Sequence, residues 1–516
     1  MLLPILLFLF FLKEFSTTQQ CQSRRYDNDG TVCVCNSTYC DTIPRPQKVK
    51  PPQLLLYTSN KSGLRFHQTS TTFTSSKTKK QIVIDGSRQF QTILGWGGAF
   101  TDSTGININS LPKGAQTNLL KSYFSEDGIE YNLCRVPMGG SDFSVRAYTY
   151  DDGPPDPSLL NFELKEEDFL YKVRIGRKLW RYWSFFQIPY IQKASNLTDD
   201  LWLFATPWAA PKWMKTNNDF VKLGFIRKPM FQSWANYFVK FLDEYRKRGI
   251  KFWGVTTGNE PTNGWLLFGD LEVVAWPAWL IGEWIENNLG PTIRSSNHSD
   301  IKIMVLDDQR AYLPWYVVKA LTNNVSRGYV DGIAVHWYID EYLPPVVLST
   351  THKIFPDKFL LSTEASITDD GAAVKLGSWK RGEKYSVDII QNLQNWVSGW
   401  VDWNMVLDLQ GGPTYIDNYL DSPIIVNVKA GEFYKQPTFY HLGHFSKFIP
   451  RGSVRIYSKL CLKNVKHVAF RRPDNGTVII ILNRNKKIVP LTLNDSSRGT
   501  AHVELSEESI TTIVYW

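Results

Sequence analysis

The chain has 516 residues, of which 43% are hydrophobic and 21% charged, with a formal net charge of +9. That length exceeds what one hydrophobic core fills, so a large domain with a smaller one is expected, and the composition excludes wholesale disorder. The basic residues are scattered, apart from short clusters such as "KTKK" (77–80) and "YRKRG" (245–249), which argues against nucleic acid and for an anionic membrane surface as partner.

The first dozen residues, "MLLPILLFLFFL", fall short of the roughly 20 needed to span a bilayer. They read as the apolar core of a secretory signal peptide occupying residues 1–20, with cleavage before Cys21. Cys21, Cys33, Cys35 and Cys40 then crowd the new N-terminus, and in an oxidising compartment they suggest two disulfides, with three pairings formally open. A zinc knuckle is disfavoured, because no His lies nearby and Cys33-x-Cys35 is too tight for the usual hook. Cys134 and Cys461 stand in apolar, strand-like contexts and read as buried thiols. Seven N-x-[ST] sequons, at Asn36, Asn60, Asn196, Asn297, Asn324, Asn475 and Asn494, agree with a secretory route and glycosylation.

Residues 21–88, Thr/Ser-rich around "HQTSTTFTSSKTKK", are too few for a core of their own and are expected to add strands to a β module elsewhere. From 89 to 425, short apolar runs alternate with longer helical stretches: "TILGW" at 92, "YNLCRV" at 131, "LWLFAT" at 201, "FWGVTT" at 252, "IKIMVL" at 301, "GIAVHW" at 332, "KFLLST" at 358 and "WVDWNMVL" at 400. Between the third and fourth, Trp234, Tyr237, Phe238, Phe241, Leu242 and Tyr245 recur with helical spacing, and Gly249 is a natural stop. Eight strands with intervening helices predict an α/β fold, a (β/α)8 TIM barrel. From 426 to 516, short alternating runs such as "TVIIILNR" and "SITTIVYW", split by turn words such as "PDNG", predict an all-β sandwich.

In such a barrel the active site lies at the C-terminal ends of the strands. Glu260, in "TTGNEP", closes the fourth run and Glu364, in "LLSTEAS", the seventh. Taken singly, one is readable as a helix cap and the other as a salt-bridge partner. Strands four and seven face each other across a barrel mouth, however, and paired carboxylates are the apparatus of glycoside hydrolysis. Aromatic residues at neighbouring strand ends, Trp96, Trp208, Trp337, Tyr338 and Trp403, suit a sugar-stacking cleft.

Longer words reinforce that reading: "GWGGAFTDS" (95–103), "KSYFSEDGIEYNLCRVPMGGSDFSVRAYTY" (121–150), "MVLDDQR" (304–310), "GIAVHWY" (332–338), "GWVDWN" (399–404) and "FYKQPTFYHLGHFSKFIP" (433–450). Carrying these words, the chain resembles the glucosylceramidases of glycoside hydrolase family 30. The resemblance implies a retaining mechanism with Glu260 as acid/base and Glu364 as nucleophile, and Asn259 against the sugar 2-hydroxyl. It further implies that Asp102, Trp208, Trp403 and Asn418 hold the glucose, and that His336 and Tyr338 lie beside the nucleophile. For Asp102 the plain alternative is a helix N-cap, and for His336 a satisfied core histidine. By the same resemblance Cys21 pairs with Cys33 and Cys35 with Cys40, and the flanks form the family's β-sandwich. A glucosylceramide substrate, a lysosomal setting and a saposin-type activator are implied too, while no cofactor or metal is called for. Alternatives are a relative acting on a β-galactoside or β-xyloside, and a glycolipid-binding pseudoenzyme.

One position departs from the family pattern, which carries Glu or Gln two residues before the acid where this chain has Gly258. Residues i and i+2 share a strand face, so a polar side chain is expected to be missing beside Glu260, with consequences for substrate preference or pH optimum.

Overall fold

The computed structural model describes residues 19–74, 81–172, 190–265, 270–367 and 371–516. The leader run 1–12 and the "KTKK" cluster lie outside the described residues. Eight parallel strands close into a barrel: β1 (Gly95–Ala99), β2 (Leu133–Pro137), β3 (Trp202–Thr206), β4 (Gly254–Thr256), β5 (Lys302–Gln309), β6 (Gly332–His336), β7 (Phe359–Glu364) and β8 (Val397–Asn404). Each matches one expected run, and the first starts three residues late because Gln81–Thr92 is committed to another sheet. Gly97 lets β1 approach β2, since a Cβ there would stand 1.9 Å from the Leu133 carbonyl oxygen.

Alternation along the strands builds the barrel interior in layers. Leu133, Phe204, Met304, Ala334, Leu361 and Val401 form an apolar cluster from six strands. Two residues further along each strand, on the same face, stand Arg135, Thr206, His336, Thr363 and Trp403, so a polar layer sits on an apolar floor. In β5 a bulge between Leu306 and Asp308, with left-handed Leu306 (φ 79°) and Asp307 (φ 55°), brings Asp307 into contact with this layer.

In α1 (Phe231–Arg246), all six of the expected apolar residues are buried, each contributing about 1.5–3 kcal/mol relative to exposure. Gly249, at φ 82°, follows as the left-handed stop. A second long helix, α2 (Trp379–Gln394), packs between β7 and β8 in sequence, and α3 (Pro437–Ser446) joins barrel to sandwich. On α3, Phe445 packs against Trp96 of β1, while His444 reaches Thr512 (2.7 Å) and Ser59 (2.9 Å) of the sandwich.

The sandwich is a nine-stranded sheet ordered Gly499–Leu505, Val489–Asp495, Gln81–Thr92, Val454–Lys459, Val465–Arg471, Thr477–Asn483, Ser509–Tyr515, Gln53–Asn60 and His67–Thr72. Its inward residues, among them Leu54, Ile84, Ile479, Leu493 and Ile513, make a separate core. Two expectations need correcting. The early strands Ser23–Arg25 and Thr31–Cys35 do not join this sheet but a five-stranded one with Val406–Asp408, Ile424–Asn427 and Glu432–Lys435, anchored by the buried Lys435–Asp41 ion pair (3.0 Å). The expected boundary at 425/426 therefore runs through the strand Ile424–Asn427.

The disulfides are Cys21–Cys33 and Cys35–Cys40. Of the sequons, Asn196, Asn297, Asn324 and Asn475 are exposed, and Asn36 and Asn494 half-buried. Asn60 is buried, with its carbonyl accepting from the Leu64 amide at 2.9 Å, which does not suit the expected glycan acceptor. Among the described residues no helix is long and apolar enough to cross a membrane.

Cys134 is buried as expected, but Cys461 is exposed: the strand ends at Lys459, and Leu460 and Leu462 turn toward the sandwich core, leaving the residue between them outward. Burial pushes the Cys134 thiol up to about 12. Titration of the native chain with a thiol reagent should modify Cys461 alone at neutral pH, and Cys134 only after denaturation; equal reactivity of the two would contradict the packing.

Candidate active site

The polar layer closes into a network around three buried groups. Arg135, on β2, sends Nη2 to Asp307 Oδ2 (2.8 Å) and to Asn259 Oδ1 (2.9 Å), and Nη1 to Glu364 Oε2. Asp307 also accepts from Thr256 (2.6 Å), Thr363 (2.6 Å) and His336 Nε2 (3.2 Å). His336 contacts Glu260 Oε1 through Nδ1 at 2.9 Å, so its ring joins the bulge carboxylate to the fourth-strand carboxylate. Burial disfavours charge on all three, yet their mutual attraction wins: Glu364, Asp307 and Glu260 lift His336 to about 10. Arg135 and His336 hold Asp307 well below the usual carboxylate range despite its burial.

On this frame hang the two carboxylates. Glu260 takes hydrogen bonds from Gln309 Nε2 (2.9 Å) and Asn263 Nδ2, besides the His336 contact. Its backbone is left-handed, φ 43°, and its amide donates to the Asp307 carbonyl at 2.9 Å. Glu364 takes the Tyr338 hydroxyl at 2.7 Å on Oε1 and Arg135 on Oε2. Oxygens of Glu260 and Glu364, with a His336 nitrogen, all lie within 4.8 Å of one another. Both His336 nitrogens and both carboxylates are already engaged in this network.

The chain leaves strand geometry before the acid, because Gly258 has φ 148° and Glu260 is left-handed. Residues 258 and 260 therefore do not share a strand face, contrary to the expectation from their spacing. A Cβ at 258 would meet nothing nearer than the Pro207 carbonyl at 3.8 Å, so glycine serves the backbone turn rather than a crowded contact.

The residues expected to hold a sugar are gathered less evenly. Trp208 and Trp403 stack at 4.8 Å with the Arg135 guanidinium 4.6 Å from the Trp208 ring, and Phe143 meets Trp403 edge-on. Asn418, exposed at the rim, donates to Asp142 Oδ2 at 2.9 Å. Asp102 is buried among polar partners. Its carboxylate is enclosed by Ser144 (2.6 Å), Tyr148 (3.0 Å) and Lys172 (3.0 Å), and the helix cap is Thr101, which accepts from the Thr104 amide. Asp142, missed in the sequence, also stands near the carboxylates: burial and the nearby Glu364 raise its carboxyl to about 7. Behind it, burial pushes Glu272 up to about 8, with Tyr415 as hydrogen-bond partner at 3.1 Å. Arg135 and Asp307 were missed as well. An arginine inside the apolar run "YNLCRV", at the inward phase, was the available signal for the first; the bulge that aims the second has none.

The model of the glycosyl hydrolase family 30 TIM-barrel domain matches residues 93–449, and that of the family's β-sandwich domain matches 452–513. The chain is 40% identical over 492 residues to the lysosomal acid glucosylceramidase of Mus musculus, covering 93% of this chain and 92% of the relative. It is 40% identical over 501 residues to putative glucosylceramidase 4 of Caenorhabditis elegans, covering 94% and 93%. Among solved structures, SrfJ from Salmonella typhimurium shares the fold with a TM-score of 0.81 at 24% identity, covering 90% of this chain and 99% of that one. The endo-β-1,6-glucanase BT3312 does so at 0.77 and 23% identity, with the same coverage. Two family models spanning barrel and sandwich, and relatives this similar over nearly the whole length, establish that the chain belongs to glycoside hydrolase family 30.

Proposed function

We propose that the protein is a retaining β-glucosidase that releases glucose from glucosylceramide, with Glu364 as nucleophile and Glu260 as acid/base. The observation that carries this reading is that one oxygen of Glu260 lies within 4.8 Å of one oxygen of Glu364, which suits the short carboxyl separation of a retaining enzyme better than the wider one of an inverting enzyme. Glu364 attacks the anomeric carbon while Glu260 protonates the departing ceramide oxygen. Water then hydrolyses the glucosyl–enzyme ester, with Glu260 now taking the proton, and the two inversions give net retention.

Each neighbour has a task in that cycle. Arg135 and Tyr338 orient Glu364 for the attack by hydrogen-bonding one of its oxygens each. Gln309, Asn263 and His336 aim Glu260 at the leaving oxygen. Asn259, fixed by Arg135, is placed for the sugar 2-hydroxyl, a contact that strengthens in the transition state. Trp208 and Trp403 supply the apolar wall of the glucose site, and Asp142 with Asn418 its hydroxyl acceptors.

The substrate follows from the relatives, two of which are named glucosylceramidase and match over more than nine-tenths of this chain. Such a lipid headgroup barely clears the bilayer, so the enzyme works at a membrane surface. The net charge of +9 suits an anionic one, in the lysosome and with a saposin-type activator as partner.

Glu364→Gln should abolish turnover and covalent labelling by a 2-fluoroglucoside, checked by mass spectrometry; a label on a peptide without Glu364 would sink the assignment. Glu260→Ala should slow natural substrate by about 10²–10⁴-fold, spare aryl glucosides with good leaving groups, and recover rate with azide as a β-glucosyl azide. Equal losses on both substrate types would make Glu260 structural. On liposomes at about pH 5, glucose release from glucosylceramide should rise with anionic lipid and fall with salt, while hydrolysis of a soluble aryl glucoside barely responds. No release from glucosylceramide alongside rapid cleavage of an aryl galactoside or xyloside would reassign the sugar, and binding without any release would mark a pseudoenzyme.

A further inference from the structure

β5 ends with Gln309, which holds Glu260, and the next residue, Arg310, is fully buried and serves the other side of the site. Arg310 Nη2 donates to the backbone carbonyls of Asp340 and Leu343, the latter at 2.6 Å. Nη1 lies 2.9 Å from Asp340 Oδ2, 3.3 Å from Asn392 Oδ1 and 3.9 Å from Asp388 Oδ1. Arg310 thus grips the segment 337–345 that follows β6, the same segment that carries Tyr338 to Glu364. Asp388 and Asn392 come from α2.

The carboxyl oxygens do not balance. Asp388 Oδ2 accepts from Asn392 Nδ2 (2.8 Å) and Trp400 Nε1 (3.2 Å), and Asp340 Oδ2 faces Arg310. The remaining oxygen of each, Oδ1, is buried and has no hydrogen-bond partner among the described residues, while the two carboxyl groups are within hydrogen-bonding reach of each other. Both residues line a cavity of about 840 Å³ between the segment 337–345 and α2, but these two oxygens are shielded from it. Two ionised carboxylates on one guanidinium would bury a net negative charge. One proton placed between them turns an acceptor into a donor and satisfies both oxygens.

We propose that Asp340 and Asp388 share a single proton, and that this acid pair, gripped by Arg310, is a positioning element that holds the segment 337–345 and its Tyr338 against Glu364 in acidic medium. The proposal rests on Glu364 being the nucleophile. Burial and the neighbouring Asp388 push Asp340 up to about 9 against the pull of Arg310, and burial raises Asp388. The other charged groups around the pair are His336 on β6 and, lining the same cavity, Lys380, Glu383, Lys384, Glu341 and Arg484. Of these, Glu383 pairs with Arg484 (2.7 Å) and Lys384 with Glu341 (3.9 Å).

A carboxyl raised in the folded state keeps its proton there after the unfolded chain has lost it. Its contribution to stability is therefore full below about pH 4 and declines as pH climbs toward the folded value. Losing the shared proton leaves two like charges facing each other, which loosens the segment and with it Tyr338.

Asp388→Asn tests this, because the amide donates the missing hydrogen bond without a titrating proton. Chemical unfolding of wild type and variant is measured from about pH 5 to 8, and the unfolding constant of the variant should be shallower by about tenfold per pH unit, the factor of one proton. Asp340→Asn should show the same shift and serves if Asp388→Asn does not fold. Labelling of Glu364 by 2-deoxy-2-fluoro-β-glucosyl fluoride, whose leaving group needs little protonation, should fall in wild type between about pH 8 and 10 and do so at least several-fold less in Asp388→Asn. An unchanged unfolding slope in both variants overturns the shared proton. A changed slope with identical labelling profiles overturns the positioning role. If the wild-type chain is not labelled on Glu364, it is the nucleophile assignment that fails, and the unfolding slope still decides the acid pair.

Discussion

Arg135, Asp307 and His336 are charged, almost wholly buried, and stacked on an apolar barrel floor, and everything that the site does depends on their attraction exceeding the cost of taking them out of water. Each ion removed from solvent costs several kcal/mol even after relaxation, and only good geometry with every lone pair and proton engaged returns it. Here the geometry is of that kind: Asp307 alone accepts from Arg135, His336, Thr256 and Thr363. Because the frame cannot relax without leaving a charge unpaired, Glu260 and Glu364 inherit fixed positions from it. Asn259 is tied to the same guanidinium, so it and Glu364 move together or not at all.

Around this frame the fold holds carboxyl groups that prefer to be neutral. Burial lifts Asp142 to about 7, Asp308 to about 7 and Glu272 to about 8, in each case with another carboxylate adding to the effect. Each such group binds a proton in the native state that the unfolded chain has already released, so stability contributed by them is greatest in acid and erodes toward neutrality. The Asp307 carboxyl runs the other way: held low, it contributes above its unfolded value and loses that contribution only in strong acid. Together they favour a mildly acidic working range, which fits the compartment proposed for the enzyme.

The parts legible in the sequence are those set by local pattern. Eight apolar runs alternating with longer helical stretches were sufficient for the barrel, and the apolar face of α1 was visible from spacing alone. Glu260 and Glu364 were legible as a pair, because two carboxylates at the ends of facing strands suit a shared site better than two unrelated structural roles. What escaped depended on geometry that spacing does not encode. The β5 bulge selects Asp307 over Leu306 as the residue meeting the frame, and nothing in "IKIMVL" announces it. Asp102 and Asp142 both follow barrel strands, and the partners that hold each of them, Lys172 and Ser144 for the first and Asn418 for the second, are distant in sequence and left no local sign. Cys461 looked buried because its neighbours are apolar, yet those neighbours take the inward places themselves. The early cysteine-rich strands looked like sandwich edges, and their pairing with Glu432–Lys435 is a long-range contact with no local signature.

In this arrangement His336 is a permanent cation that bridges Glu260 and Asp307. Raised above its ordinary value, its charge stabilises the fold fully below about pH 6.5 and is lost only as pH climbs through the folded value near 10. The direct measurement is the imidazole nitrogen chemical shifts of His336 by NMR in a chain with labelled histidine, assigned through His336→Gln. Both ring nitrogens should be protonated and their shifts unchanged from about pH 5 to 8. A ring that is neutral by pH 7, titrating near 6.5 like a free histidine, would contradict the permanent cation.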